Sequence, residues 1–133
     1  MNKELLLVDD DKMMLFLHER IIKKCDFKTP SRSFTNGKEV LDYLLEEQGS
    51  LKKYLILLDI NMPVMNGWEF LDALNKRGIK NTIFVVIVSS SLDIEDLEKS
   101  QKYPQVIDYL EKPIKSDLLL AVMQHEKIKD FSS

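Results

Sequence analysis

Short apolar runs alternate with helix-period segments along the whole chain. Leu5 to Val8 is a continuous apolar run, the mark of a strand covered on both faces, as parallel strands are. A helical pattern follows, with Met14, Leu15, Leu17, Ile21 and Ile22 on one broad side. Phe27 to Phe34 is more polar, with Lys28, Ser31 and Arg32, and Pro30 cannot donate to a ladder; the segment predicts an edge strand. Asn36-Gly37 punctuates the chain before a second helix marked by Val40, Leu41, Leu44 and Leu45, and Gln48 to Lys53 is a polar loop. Tyr54 to Leu58 predicts the next buried strand. The loop Ile60 to Gly67 leads into a helix carrying Phe70, Leu71 and Leu74, which Gly78 ends. Thr82 to Val88 is the most β-branched stretch. Leu92 to Lys102 has few apolar positions, so its helix is expected to be short and weakly anchored. Val106 to Leu110 is the last strand, and Leu118, Leu119, Val122 and Met123 form the buried stripe of the last helix. Neither repeats nor low-complexity tracts interrupt this order.

Five strands alternating with five helices predict an α/β fold, a (βα)5 three-layer arrangement around a doubly wound, five-stranded parallel sheet. Right-handed crossovers and the commonest small order, 2-1-3-4-5 in the flavodoxin-like manner, place the polar strand at the edge. Composition narrows the class. With 133 residues the expectation is a single domain over 1–133 with no output domain, and 44% hydrophobic residues supply its core. A net charge of −3 argues against non-specific nucleic-acid binding. Cys25 has no second cysteine to pair with, which points to a reducing compartment. The N-terminal apolar stretch is too short for a signal peptide, and no apolar run approaches the roughly 20 residues of a spanning helix. The expected location is therefore cytoplasmic, without membrane insertion.

The chemistry collects at the strand ends. The first buried strand runs into Asp9-Asp10-Asp11, the third strand into Asp59, the fourth into Ser89 and the fifth into Lys112. In a parallel sheet these ends share one edge, where ligands of such folds bind. A polar residue after any single strand is ordinary loop chemistry. Carboxylates, a hydroxyl and an ammonium at four ends are not. Crowded carboxylates repel unless a cation intervenes, and oxygen-only ligands suit Mg²⁺, with Mn²⁺ as the alternative. Asp9, Asp10, Asp59 and the backbone carbonyl of Asn61 supply such oxygens, and no His or Cys cluster competes for a softer metal. Asp59 then becomes an oxygen nucleophile able to form an acyl phosphate. Lys112 offers charge, and Ser89 a hydroxyl, to phosphate oxygens.

The segments LLLVDDDKMM, LLDINMPVMNGWEFL, VVIVSSS and YLEKPI resemble the receiver domains of two-component response regulators, of the single-domain, chemotaxis-regulator type. The likeness covers essentially the whole chain. It implies that Asp59 is the phosphoacceptor, that Asp9 and Asp10 are metal-binding acids and that Lys112 senses the phosphate. It makes Ser89 the switch hydroxyl and Tyr109 the aromatic that rotates with it. It also implies a histidine kinase or histidine phosphotransfer protein as donor, and an unidentified downstream protein as receiver of the signal. The resemblance further implies a signalling domain that assists its own phosphorylation and dephosphorylation, not an enzyme, and it makes a cis bond at Lys112-Pro113 an open alternative to the trans form. Ser90 departs from the family's usual Ala or Gly, and Asp11 adds a third acid, read here as a cap for the first helix.

Two other functions compete. An aspartyl-phosphate phosphatase of the haloacid dehalogenase type wants a second Asp two residues after its nucleophile, where this chain has Asn61. A degenerate receiver acting as a phosphorylation-independent scaffold would not need the complete set of charged residues. His18 and His125 lack metal-ligand partners in sequence and read as surface or packing residues, and Trp68 as a partly buried packing residue.

Overall fold

The computed structural model of the chain describes residues 2–79, 81–90 and 93–132. The elements alternate as β1 (Lys3–Val8), α1 (Lys12–Lys24), β2 (Ser31–Phe34), α2 (Gly37–Glu46), β3 (Lys53–Leu58), α3 (Gly67–Arg77), β4 (Thr82–Ser89), α4 (Ile94–Ser100), β5 (Val106–Glu111) and α5 (Ser116–Val122), closed by a 3-10 helix at Lys129–Ser132. All strand pairs are parallel, and the order is β2-β1-β3-β4-β5, as the alternation predicted.

Both faces of the sheet are covered. Leu6, Val8, Ile56, Leu58, Val85 and Ile87 point into one core with residues of α2 and α3. Leu5, Leu7, Leu55, Leu57, Val86 and Val88 point into the other, with residues of α1 and α5. Alternate residues of one apolar run therefore serve two cores, which is why the middles of the central strands are apolar at successive positions.

Helix boundaries follow local chemistry. Asp11 caps α1 by accepting from the amides of Met13 and Met14, which bears out the capping expectation. Asn66 and Glu69 form a reciprocal capping box at α3, and Gly78 ends that helix in the left-handed conformation at φ 61°. The two Asn-Gly pairs do more than punctuate. A Cβ on Gly67 would stand 2.7 Å from the Asp59 carbonyl oxygen, and one on Gly37 would stand 2.8 Å from that of Met65. Only glycine lets these helix starts approach the β3–α3 loop so closely.

Several expectations need correction. The buried stripe of α1 is Leu15, His18 and Ile22; Met14 and Ile21 are half-buried and Leu17 is exposed. The helix carries more apolar residues than one line of contact with the sheet can cover, so 3–4 spacing selects a subset. In α5, Leu119, Val122 and Met123 are buried while Leu118 faces out. The edge strand is shorter than predicted and begins only after Pro30, whose carbonyl accepts from Leu5 N. The sequence assigned Phe131 no role, yet it is fully buried, and its carbonyl accepts from the Thr29 hydroxyl.

The fourth helix is short, as expected, and Ser100 is its one buried residue; Ser91 and Leu92, which the sequence placed in the preceding segment, lie outside the described residues. Side chains tie this region to α3. Trp68 is half-buried and stacks on Tyr103 at 5.7 Å, Lys99 Nζ lies 4.8 Å over the indole, and the Tyr103 hydroxyl donates to Asp72 at 2.8 Å.

Candidate functional site

Strand register brings the distant acids together. Val8 and Leu58 are paired, and the next amide, Asp59 N, donates to the Val8 carbonyl at 2.9 Å. Asp9 N donates to the Phe34 carbonyl at 3.1 Å, which continues the β1–β2 ladder by one step. On the other side of the sheet Lys112 N donates to the Ser89 carbonyl at 2.8 Å. Four strand ends thus converge on one spot at the carboxyl edge, where the sequence placed them.

Asp9, Asp59 and Ser89 are buried, whereas Asp10 is exposed. Carboxylate oxygens of Asp9, Asp10 and Asp59 all lie within 4.8 Å of one another. Lys112 Nζ lies 3.0 Å from Asp9 Oδ2 and 3.3 Å from Asp59 Oδ2. Each buried acid uses its other oxygen locally: Asp9 Oδ1 accepts from Asp11 N at 2.9 Å, and Asp59 Oδ1 from Asn61 N at 3.2 Å. Asp59 Oδ2 is buried, makes no well-formed hydrogen bond among the described residues, and faces the Lys112 ammonium.

The electrostatics follow from that crowding. Burial, and then the neighbouring charge of Asp9, push the Asp59 carboxyl up to about 6, against the opposing pull of Lys112 and the Asn61 amide. Burial works against the Lys112 ammonium, but its contacts with Asp9 and Asp59 outweigh this and hold its pKa above the usual value. One ammonium faces three carboxylates, so the site carries excess negative charge. An orphaned buried oxygen beside two further acids fits a hard divalent cation that favours oxygen ligands.

Ser89 and Tyr109 are also neighbours. The Ser89 hydroxyl bonds the Tyr109 phenol, whose pKa is raised chiefly by burial. The Lys112–Pro113 bond, whose isomer the sequence left open, is cis. Ser90 is exposed. His125 is exposed and belongs to no group of metal-ligand residues among the described residues, while His18 is buried and accepts from the backbone amide of Ile114. Sequence reasoning gave His18 no part in the site. The one available signal was its place three residues from Leu15 and four from Ile22, on the inward line of α1.

Comparison with known proteins agrees with this geometry. The family model described as the response regulator receiver domain matches residues 5–124. The transcriptional regulatory protein MalR of Bacillus subtilis is 33% identical over 111 residues, 81% of this chain and 43% of its own length. CitT of Halalkalibacterium halodurans, also a transcriptional regulatory protein, is 26% identical over 116 residues, 87% of this chain and 48% of its own. The chain therefore spans less than half the length of either relative. A crystal structure of a two component response regulator from Cytophaga hutchinsonii superposes with a TM-score of 0.85 at 31% identity, covering 97% of this chain and 98% of that one. A strand-end cluster of this composition, on this sheet order and within this sequence match, makes the chain a member of the response regulator receiver domain family of two-component systems.

Proposed function

We propose that this receiver accepts a phosphoryl group on Asp59 from a histidine kinase or histidine phosphotransfer protein. The observation that carries the proposal is the buried Asp59 Oδ2, without a well-formed hydrogen bond among the described residues and faced by the Lys112 ammonium at 3.3 Å. A carboxyl raised to about 6 is still chiefly ionised at pH 7, as a nucleophile must be. The Asp59 oxygen forms the new bond to phosphorus while the donor's P–N bond breaks, its electron pair leaving with the imidazole. Lys112 neutralises charge on the transferred group, and Ser89 donates its hydroxyl to a phosphate oxygen. Asp9, Asp10, Asp59 and the Asn61 carbonyl would hold Mg²⁺, or Mn²⁺ in its place. When bound, the cation supplies further charge neutralisation at the same oxygens.

The chain then acts as a signalling domain, not as an enzyme on other substrates. Ser89 has two claims on its hydroxyl, the Tyr109 phenol and a phosphate on Asp59, and satisfying the second releases the first. Tyr109 sits in β5 beside the thinly anchored α4, so the α4–β5–α5 face is where a downstream protein would read the change. Among the described residues no helix is long and apolar enough to cross a membrane.

Incubation with acetyl phosphate and Mg²⁺, followed by mass spectrometry of the intact chain and its peptides, tests the proposal. One acid-labile phosphoryl group on the peptide containing Asp59, absent from Asp59→Asn, is the expected result. Undiminished phosphate on the Asn variant would overturn it.

A further inference from the structure

His18 has no part in the chemistry above. It is 4% exposed on the inward stripe of α1, and its Nε2 accepts a hydrogen bond from the backbone amide of Ile114 at 3.1 Å. A ring nitrogen that accepts carries no proton, so this imidazole is neutral with its hydrogen on Nδ1. Burial favours the same neutral form, lowering the pKa more than the charge of nearby Asp9 raises it, and Lys112 lowers it further.

The Ile114 amide matters because of its place in Lys112-Pro113-Ile114. Proline brings no N–H, so this tripeptide has two backbone donors with which to fix itself. Lys112 N is held by the Ser89 carbonyl of β4 at 2.8 Å, and Ile114 N is held by His18 of α1. The two ties lie on either side of the residue whose ammonium meets Asp9 and Asp59. Ile114 is 2% exposed, so without an acceptor its amide would be a buried orphan. The loop would shift to satisfy it and carry the lysine along. Displacements of this kind at a charged group weaken binding out of proportion to their size.

We infer that His18 is a positioning residue for Lys112: by holding the Ile114 amide, its Nε2 sets where the Lys112 ammonium stands between Asp9 and Asp59. The inference rests on the phosphate-contacting role proposed for Lys112.

The test uses the full chain with Mg²⁺ and beryllofluoride, a phosphoryl mimic, and measures binding affinity. His18→Leu keeps an apolar side chain on the stripe but offers no acceptor, and should weaken binding about three- to tenfold, the worth of one net hydrogen bond. His18→Gln, whose side-chain carbonyl can accept, should restore most of the loss. In a Lys112→Ala background, His18→Leu should change nothing further, because its effect travels through the lysine. An equal loss in that background, or no loss in the wild-type background, overturns the inference. If Lys112→Ala itself binds as tightly as wild type, the role of Lys112 has failed and His18 loses its part with it. Should His18→Leu not fold, nitrogen NMR of the wild-type chain decides. An Nδ1–H tautomer with scalar coupling from Nε2 to the Ile114 amide is expected, and an Nε2–H tautomer overturns the inference.

Discussion

Lys112 Nζ stands 3.3 Å from Asp59 Oδ2, within ion-pair range but outside hydrogen-bond geometry, while its better contact is to Asp9 at 3.0 Å. The lysine thus compensates part of the charge at Asp59 without occupying the oxygen that would react. Asp59 is kept ionised and uncapped at once. That balance costs stability, since a buried carboxylate with a free oxygen is a strained arrangement in water-poor surroundings.

The cost should be visible in the pH dependence of folding. The Asp59 carboxyl titrates at about 6 in the fold against 3.8 ordinarily. Between those values the folded chain binds more protons than the unfolded one, so this group's contribution to stability falls as pH rises through them. Asp59→Asn removes the contribution. In EDTA the variant should melt above wild type at pH 7.5, and the gap should close as pH falls below about 4, where both states of wild type are protonated. A gap that widens on acidification would contradict the assigned shift.

The two other acids should behave differently from each other. Asp10 is exposed, whereas Asp9 accepts from Asp11 N and pairs with Lys112. Either Asn substitution should weaken Mg²⁺ binding about tenfold or more, as loss of even outer partners does at metal sites. Without metal, Asp10→Asn should melt at or above wild type by relieving repulsion, while Asp9→Asn should gain less because it also weakens a buried ion pair. Calorimetric titration and paired melts measure both effects. Unchanged metal affinity in both variants would place the cation elsewhere.

Output should depend on Ser89. Ser89→Ala should still accept phosphate at Asp59 but fail to transmit it, because the hydroxyl that Tyr109 and the phosphate compete for is gone. Amide chemical shifts with and without beryllofluoride report this directly. Wild type should show changes through α4 and β5, and the variant should show them in the site loops alone. Matching distant shifts in both proteins would rule out the switch.

The carboxyl-terminal turn should be part of the fold's stability. Phe131 is fully buried beside Ile128, Lys3 Nζ donates to the Asp130 carbonyl at 2.5 Å, and Lys53 Nζ lies 3.2 Å from Asp130 Oδ2. Phe131→Ala should cost about 3–5 kcal/mol, the usual loss for emptying an aromatic site in a core. Urea denaturation measures it. A loss below about 1 kcal/mol would mean the site collapses or the turn is not docked in solution.

Much of this molecule was legible along the chain because the signals are local. A strand covered on both faces must be apolar at every position, and Leu5 to Val8 and Tyr54 to Leu58 announce themselves that way. Caps such as Asp11 and Gly78 act within a few residues of themselves, so their chemistry can be read without knowing what packs nearby. The alternation of strand and helix, with the handedness rule, then leaves few topologies, and that is enough to bring Asp9, Asp59, Ser89 and Lys112 to one edge.

What the sequence could not decide depends on surfaces that meet only in the folded chain. Periodicity says that α1 has an apolar side, but the sheet and α5 choose Leu15, His18 and Ile22 from it and leave Leu17 in water. Phe131 is one aromatic near a polar end until the fold offers it a cavity, and Thr29, Lys3 and Lys53 lie too far away in sequence to advertise the site. His18 is the clearest case. Its hydrogen bond joins α1 to Ile114 across 96 positions of sequence, and a hydrogen bond is directional and short, so no pattern of residue types can stand in for the three-dimensional approach that creates it.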